Sequence, residues 1–304
     1  APSRWAADTL ARYYPSARVR VVPHGIPEAA ARHAGTRTAV LLPDDGVPTV
    51  AVLGAVGPDK GARRIERLVE LARERGSNVR FVLIGYLDRQ HAAWQSDDAR
   101  FTVHGRYDPR DLPDLLSHYR VSLVLYPSAG PETFSYTLSE SWSAGRPVLV
   151  PPIGALPERV SSTGAGWVLD DAEWRDERRM LDRIETLLAH SRADDLARAS
   201  RAAAAMPRIS IESMATATLA CYESALCDRG AGAHRPLARE RVRDALGYRA
   251  WTPAAAQGAQ SSARADAGSR IAQTALRLRQ SSAGPLLRAL TPGFLREALK
   301  ARLK

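Results

Sequence analysis

Two glutamates, Glu132 and Glu140, stand eight positions apart in the segment PETFSYTLSESWSAGRPVLV, 131–150. An apolar run at 121–126 precedes the helix-like part of this segment, and a second run at 147–150 ends it. Strand, loop, helix and strand in this order are typical of parallel α/β sheets, which bind ligands at the carboxyl ends of their strands. Carboxylates accept hydrogen bonds from hydroxyls, and a helix N-terminus between them favours an anion. Helical geometry, at ~1.5 Å per residue, separates the two carboxylates by about 12 Å, so the segment predicts a sugar-nucleotide site.

Lys60 is the second group that could do chemistry. It is the only lysine before residue 300 in a chain with 40 arginines. It ends the stretch GAVGPDKG, 54–61, which lies between a predicted buried strand and a predicted helix. An ammonium group and unpaired backbone N–H groups converge at such a point, where a phosphate would bind. The pattern therefore predicts a phosphate site at Lys60.

Alternating strands and helices must position these residues. Apolar runs predict strands at 17–22, 49–54, 79–85, 100–105, 121–126, 147–150 and 166–170. Helical periodicity predicts helices at 3–14, 62–75, 111–119, 173–190, 192–205 and 211–226, besides the one in the glutamate segment. The last six strands form one α/β domain, a Rossmann-like doubly wound parallel sheet.

The net positive charge of the chain comes from its C-terminal part. After residue 227 there are 15 Lys and Arg against five Asp and Glu, and the preceding part carries 28 of each sign. We expect residues 229–270 to be largely disordered, and 285–304 to form a basic amphipathic helix. That helix suits an anionic membrane surface, a protein groove or another part of the same polypeptide, and RNA binding by the tail is the remaining alternative. The balanced core gives no reason to expect nucleic-acid binding.

Several classes of function lack their motifs. The sequence has no G-x-S-x-G elbow, Walker loop, G-x-G-x-x-G after the first strand, or D-x-D pair. The histidines show no metal-binding spacing, so His24 and His104 are assigned turn or core roles. No stretch approaches the length of a membrane span. The opening APSRWAADTL has neither an initiator Met nor a signal-peptide core, and we expect the chain to be a fragment or a processed product.

The glutamate segment resembles the E-x7-E signature of the retaining GT-B-fold glycosyltransferases that use nucleotide sugars, the group 1 or family 4 enzymes. The resemblance runs from about Ser3 to Leu226. It includes the turn His24-Gly25, the turn Lys60-Gly61 and the strand segment GRPVLV, 145–150. It implies that the chain is the donor-binding, C-terminal half of a GT-B fold.

The resemblance also implies roles for individual residues. Glu132 lies near the donor sugar, Glu140 accepts hydrogen bonds from the ribose, and Lys60 binds the diphosphate. Glu132 and Lys60 are therefore the expected catalytic residues. The expected donor-binding residues are Glu132, Thr133, Phe134, Ser135, Tyr136, Thr137, Glu140, Lys60, Gly57, Gly85 and Tyr107. Gly85 and Tyr107 would flank the nucleotide base, although ordinary loop roles fit them equally well. No cofactor and no metal are expected.

The implied organisation has four parts. Residues 1–27 form the end of an N-terminal acceptor domain and the hinge, 28–48 a linker, 49–227 the nucleotide-sugar domain and 228–304 the basic tail. The expected partners are a nucleoside diphosphate sugar and an acceptor glycan or lipid-linked glycan, as in bacterial polysaccharide or glycolipid synthesis. The expected location is cytoplasmic, with peripheral contact between the tail and the inner face of the membrane.

The sequence departs from the family pattern at two positions. Ala55 stands where the family usually has an arginine, so one of two expected diphosphate cations is absent. Arg63 and Arg64 could replace it but are expected to be solvated. Ser135 stands where glycine is common, which leaves the geometry of the neighbouring amides open. These departures keep a second hypothesis in play, a non-catalytic sugar-nucleotide-binding or scaffolding module.

Overall fold

A computed structural model describes residues 1–26 and 40–227 of the 304-residue chain. The predicted amphipathic helix near 285–304, the rest of the basic tail and most of the predicted linker lie outside these ranges. All described residues belong to one compact unit, Ala1–Gly232.

The described part of the chain contains one seven-stranded sheet, ordered β3-β4-β2-β1-β5-β6-β7. All neighbouring strands are parallel except the short edge pair β3–β4. The strands are β1 Thr49–Val56, β2 Arg80–Leu87, β3 Trp94–Gln95, β4 Phe101–Val103, β5 Val121–Leu125, β6 Val148–Val150 and β7 Gly166–Val168. The predicted α/β fold class, a Rossmann-like parallel sheet, is confirmed.

Helices cover both faces of the sheet because successive strand residues point to opposite sides. Val50 and Val52 join one core with α2 and α7, whereas Ala51 and Leu53 join a second core with α3, α4, α5 and α8. The helices are α1 Arg4–Tyr13, α2 Ala62–Glu74, α3 Leu112–His118, α4 Tyr136–Ser143, α5 Ala155–Val160, α6 Asp171–Arg175, α7 Glu177–Leu188, α8 Ala193–Ala204 and α9 Ile211–Cys227.

Four details differ from the sequence-based expectation. Residues 17–22 form no strand, because among the described residues no strand pairs with them, and their cross-chain backbone hydrogen bonds are to Ala1, at Arg20 and Val22. The edge strand β3 and the one-and-a-half-turn helix α5 are too short to show a periodic pattern. The predicted helix at 173–190 is two helices, because Asp170 caps α6 and Asp176 begins a new cap for α7.

The first 26 residues dock on this unit at two places. Both carboxylate oxygens of Glu158, on α5, accept hydrogen bonds from the first N–H groups of α1, at Arg4 (2.8 Å) and Trp5 (2.7 Å). At Gly25 the backbone passes so close to α9 that a Cβ would lie 2.3 Å from the carbonyl oxygen of Ser210. The segment is therefore anchored at α5 and at the start of α9.

Candidate functional site

The candidate site lies where the sheet order changes direction, at the carboxyl ends of β1 and β5. The chain runs outward from β1 through β2 and β4 to one edge, and from β5 through β6 and β7 to the other. In doubly wound sheets the loops that follow the two central strands run in opposite directions at such a point, which leaves a crevice between them. Here these loops are 57–61 and 127–135, which contain most of the predicted site residues.

The loop that carries Lys60 is fixed to the loop after β5. It forms a single 3-10 turn, Pro58–Lys60, followed by Gly61 in the left-handed conformation (φ 88°). A Cβ at Gly61 would lie 2.2 Å from the carbonyl oxygen of Pro127, so only glycine fits. The carbonyl of Asp59 accepts hydrogen bonds from the N–H groups of Ala129 (3.0 Å) and Gly130 (3.3 Å). These contacts thus join the turn that carries the exposed Lys60 to the loop that leads to Glu132.

Glu132 lies in a loop rather than in a helix. Residues 131–135 have no regular structure, and α4 begins only at Tyr136, so the expected 12 Å helical spacing to Glu140 does not apply. The backbone of Glu132 packs on Gly154, the residue before α5. A Cβ at Gly154 would lie 2.7 Å from both the nitrogen and the oxygen of Glu132, and Ala155 N–H donates to that oxygen (2.8 Å).

The five residues after Glu132 differ in exposure. Thr133 is exposed, Phe134 and Ser135 are buried, and Tyr136 and Thr137 are half-buried. Ser135 has φ 72° and ψ 105°, a conformation that favours glycine, and its hydroxyl lies 3.1 Å from that of Thr137. The glycine common at this position in the resembling family therefore has a conformational reason.

Two residues that were not among the predicted site residues hold this loop. Arg159, on α5, donates hydrogen bonds to the carbonyls of Phe134 and Ser135, and its guanidinium lies 3.9 Å from the Phe134 ring centroid. His24, which was assigned a turn or core role, stacks on Tyr136 and meets Phe134 edge-on, each at 5.1 Å. No sequence motif marks Arg159, because its partners are backbone atoms 24 and 25 residues away.

Glu140 is a largely enclosed carboxylate on α4. Burial raises the pKa of this side chain, and nowhere in 1–26 or 40–227 does its carboxylate form a hydrogen bond or an ion pair. Burial, and then the negative charge of Glu140, raise the pKa of the Tyr107 phenol, so the two side chains lie within electrostatic range of each other. A carboxylate with no protein partner and an aromatic neighbour can accept hydrogen bonds from a ligand diol.

The loops after β2 and β4 meet at the same edge. Gly85 (φ 139°) faces Gly54 so closely that a Cβ would lie 2.0 Å from the Gly54 carbonyl oxygen. Gly105 N–H donates to the Gly85 carbonyl (2.8 Å), and the guanidinium of Arg106 lies 4.7 Å from the ring centroid of Tyr86. Of the predicted base-flanking residues, Gly85 therefore lies near the end of β2, and Tyr107 lies in the segment that follows the adjacent strand β4.

The first turn of α2 supplies no clear substitute for the arginine missing at position 55. Ala55 is exposed at the end of β1, and Arg63 is exposed on α2. The expectation that Arg64 is solvated is wrong, because its guanidinium packs 5.4 Å from the Trp174 ring and pairs with Glu177 (3.3 Å). α2 packs against α7, which buries this side of its first turn.

The predicted site residues thus lie near the carboxyl ends of β1, β2, β4 and β5 or on α4, and their roles stay predictions. Within the ranges that the structure describes, no three His, Cys, Asp or Glu side chains form a group that could hold a metal ion. The helices in those ranges include none with the length and apolarity needed to cross a membrane.

Comparison with known proteins agrees with this architecture. Residues 47–190 match the family model described as Glycosyl transferases group 1. A search of curated protein sequences found no match. Similar solved structures include a glycosyltransferase from Rickettsia africae ESF-5, 15% identical over 74% of this chain with a TM-score of 0.54. Another is sucrose-phosphate synthase from Thermosynechococcus elongatus, 20% identical over 74% of this chain with a TM-score of 0.55. At these identities the likeness shows the fold, and the chain spans 62% and 57% of the two proteins' lengths.

Proposed function

We propose that the chain binds a nucleoside diphosphate sugar whose sugar is transferred to an acceptor hydroxyl, and the match of residues 47–190 to the Glycosyl transferases group 1 model supports this. Retention of the anomeric configuration is part of the proposal. The expected setting is bacterial surface polysaccharide or glycolipid synthesis at the cytoplasmic face of a membrane. The basic tail would supply peripheral contact with that membrane.

The observation that carries this proposal is the joint support of Lys60 and Glu132. The contact of Gly61 with Pro127 and the hydrogen bonds to Asp59 tie the lysine turn to the loop that leads to the glutamate. In the proposed site, a cation, the N-terminus of α4 and a carboxylate face one crevice. A diphosphate between two hydroxyl-bearing sugars presents charges of the complementary kind.

The proposed reaction breaks the bond between the anomeric carbon and the diphosphate oxygen. The acceptor oxygen bonds to that carbon on the same face, and its proton passes to the departing phosphate. Lys60 and the positive end of α4 stabilise the negative charge that develops on the diphosphate, so the proposal needs no metal. Glu140 holds the ribose, and Glu132 holds hydroxyls of the transferred sugar.

Calorimetry with UDP-, GDP- and ADP-sugars tests donor binding. We expect one base to bind, and we expect Lys60→Ala and Glu140→Ala each to weaken binding about tenfold or more, because each removes a charge-assisted contact worth ~1.5–3 kcal/mol. Asp114→Ala, on the exposed start of α3, is the matched control. Absence of binding by the unaltered chain across the whole panel would contradict the proposal.

Turnover separates this function from a non-catalytic alternative. The exposed Ala55 favours a sugar-nucleotide-binding module without catalysis, because one diphosphate cation is missing. Since the chain spans less than two thirds of its structural neighbours, we expect it to bind donor and turn over slowly by itself. The test measures release of nucleoside diphosphate by the chain and by the variant Ala55→Arg. Faster release by the variant would favour the catalytic function.

A further inference from the structure

Arg159 holds the loop between Glu132 and Glu140 from behind. One nitrogen, Nη1, donates to the carbonyl oxygens of Phe134 and Ser135, both at 2.8 Å. The other, Nη2, donates to the hydroxyl of Ser139 in the first turn of α4, at 2.7 Å. One planar guanidinium therefore joins the irregular part of the loop to the helix that follows it.

These contacts fix the direction of the loop's N–H groups. In a planar trans peptide the C=O and the next N–H point in opposite directions, and the described chain contains no cis peptide. Because the Phe134 carbonyl points toward Arg159, the N–H of Ser135 points to the other side of the loop. Ser135 is held there despite its positive φ of 72°, a conformation that a serine seldom adopts without support.

Within residues 1–26 and 40–227, no carboxylate forms an ion pair with Arg159. Its acceptors are two carbonyls and a hydroxyl, and the adjacent Glu158 uses both oxygens on the N-terminus of α1. Burial lowers the pKa of Arg159 to about 10, so the group keeps its proton at neutral pH. A full positive charge thus lies behind the loop, in a chain that lacks the family's arginine at position 55.

We propose that Arg159 is a positioning residue for diphosphate binding, which orients the Ser135 amide toward the crevice and adds positive potential behind it. This inference rests on the proposed function and names the group that organises its anion site. Arg159 touches no substrate in this arrangement. It acts through the peptide groups that it holds and through its charge.

Two substitutions separate geometry from charge. Arg159→Lys keeps the charge and loses the planar fork, whereas Arg159→Gln keeps hydrogen bonding and loses the charge. Calorimetry on the full 304-residue chain would compare UDP with UMP, GDP with GMP and ADP with AMP. We expect Arg159→Gln to weaken diphosphate binding about tenfold or more while monophosphate binding changes less than about threefold, because the loss falls on the anion contacts. Arg159→Lys should retain part of the diphosphate preference.

Arg80→Lys is the matched structural control. Arg80 is a buried arginine that donates to a carbonyl, that of Ala99, and pairs with Asp45, at the opposite end of β2 from the site. We expect this variant to lower the thermal midpoint and leave the ratio of diphosphate to monophosphate affinity unchanged. If the ratio of diphosphate to monophosphate affinity is unchanged in Arg159→Gln, whether both affinities stay the same or fall equally, the positioning role is overturned while donor binding stands. Failure of the unaltered chain to bind any of the six nucleotides overturns both proposals.

Discussion

At the scale of single residues, position 135 combines a requirement of the fold with an unfavourable side chain. The loop needs a positive φ there, because the chain must turn from the Glu132 segment into α4 within one residue. Serine pays a conformational cost that glycine does not, and Arg159 and the Thr137 hydroxyl offset part of it. The strain lies next to the amide that we assign to the diphosphate.

Ser135→Gly should therefore raise the free energy of unfolding by about 1 kcal/mol, since relief of the positive φ exceeds the loss of the hydroxyl contact. Chemical denaturation measures this change. Ser161→Gly is the matched control, because Ser161 has right-handed angles (φ −54°, ψ −32°), where glycine should lower stability by about 0.5–1 kcal/mol. A loss of stability in both variants would show that no strain is stored at Ser135.

At the scale of elements, two adjacent residues of the short helix α5 contact two different parts of the chain. Glu158 caps α1 through two backbone N–H groups, and Arg159 reaches the loop before α4. α5 itself is held by Gly154, whose conformation (φ 74°, ψ −152°) lets the Glu132 backbone pack against it. One six-residue helix thereby links the first segment of the chain to the candidate site.

Loss of the Glu158 carboxylate should loosen α1 selectively. In Glu158→Ala the N–H groups of Arg4 and Trp5 lose their acceptors, which should cost about 1–2 kcal/mol of local stability. Hydrogen–deuterium exchange should then rise in α1 and stay unchanged in β1 and β5. Glu173→Ala, which breaks the capping box of α6, is the control and should raise exchange only around Asp171–Arg175. Uniform exchange changes throughout the sheet would contradict a local cap.

At the scale of the whole molecule, two half-buried histidines couple folding to pH. Burial lowers the pKa of His24, which stacks on Tyr136, and of His104, whose Nδ1 lies 2.8 Å from the Tyr119 hydroxyl. Both rings are therefore neutral in the fold at a pH where the unfolded chain would protonate them. The unfolded state binds more protons as pH falls below about 6.5, so acidification favours unfolding.

The thermal midpoint should accordingly decrease as the pH is lowered from 7.5 to 5.5. The slope of the midpoint against pH should be shallower in the double variant His24→Gln, His104→Gln. Scanning calorimetry at several pH values measures both slopes. The exposed His190→Gln is the control and should leave the slope of the parent unchanged. Equal slopes in the parent and the double variant would remove the histidines as its cause.

The sequence by itself determined the α/β class, the succession of strands and helices along most of the chain and the positions of the candidate residues. Apolar runs and helical periods are local properties, and strand ends gather at one edge of a parallel sheet whatever the details. It failed at 17–22, where an apolar run has no neighbouring strand, and at Arg64, whose burial depends on α6 and α7.

Only the tertiary structure decided how the site is held together. The contacts of Gly61 with Pro127, Gly154 with Glu132 and Arg159 with Phe134 join residues 22 to 66 positions apart. Such contacts leave no periodic signal, because a close backbone approach or a hydrogen bond to a carbonyl places few constraints on the residue type of the partner. The sequence locates the residues that could bind a ligand or react, and packing between distant loops sets their orientation.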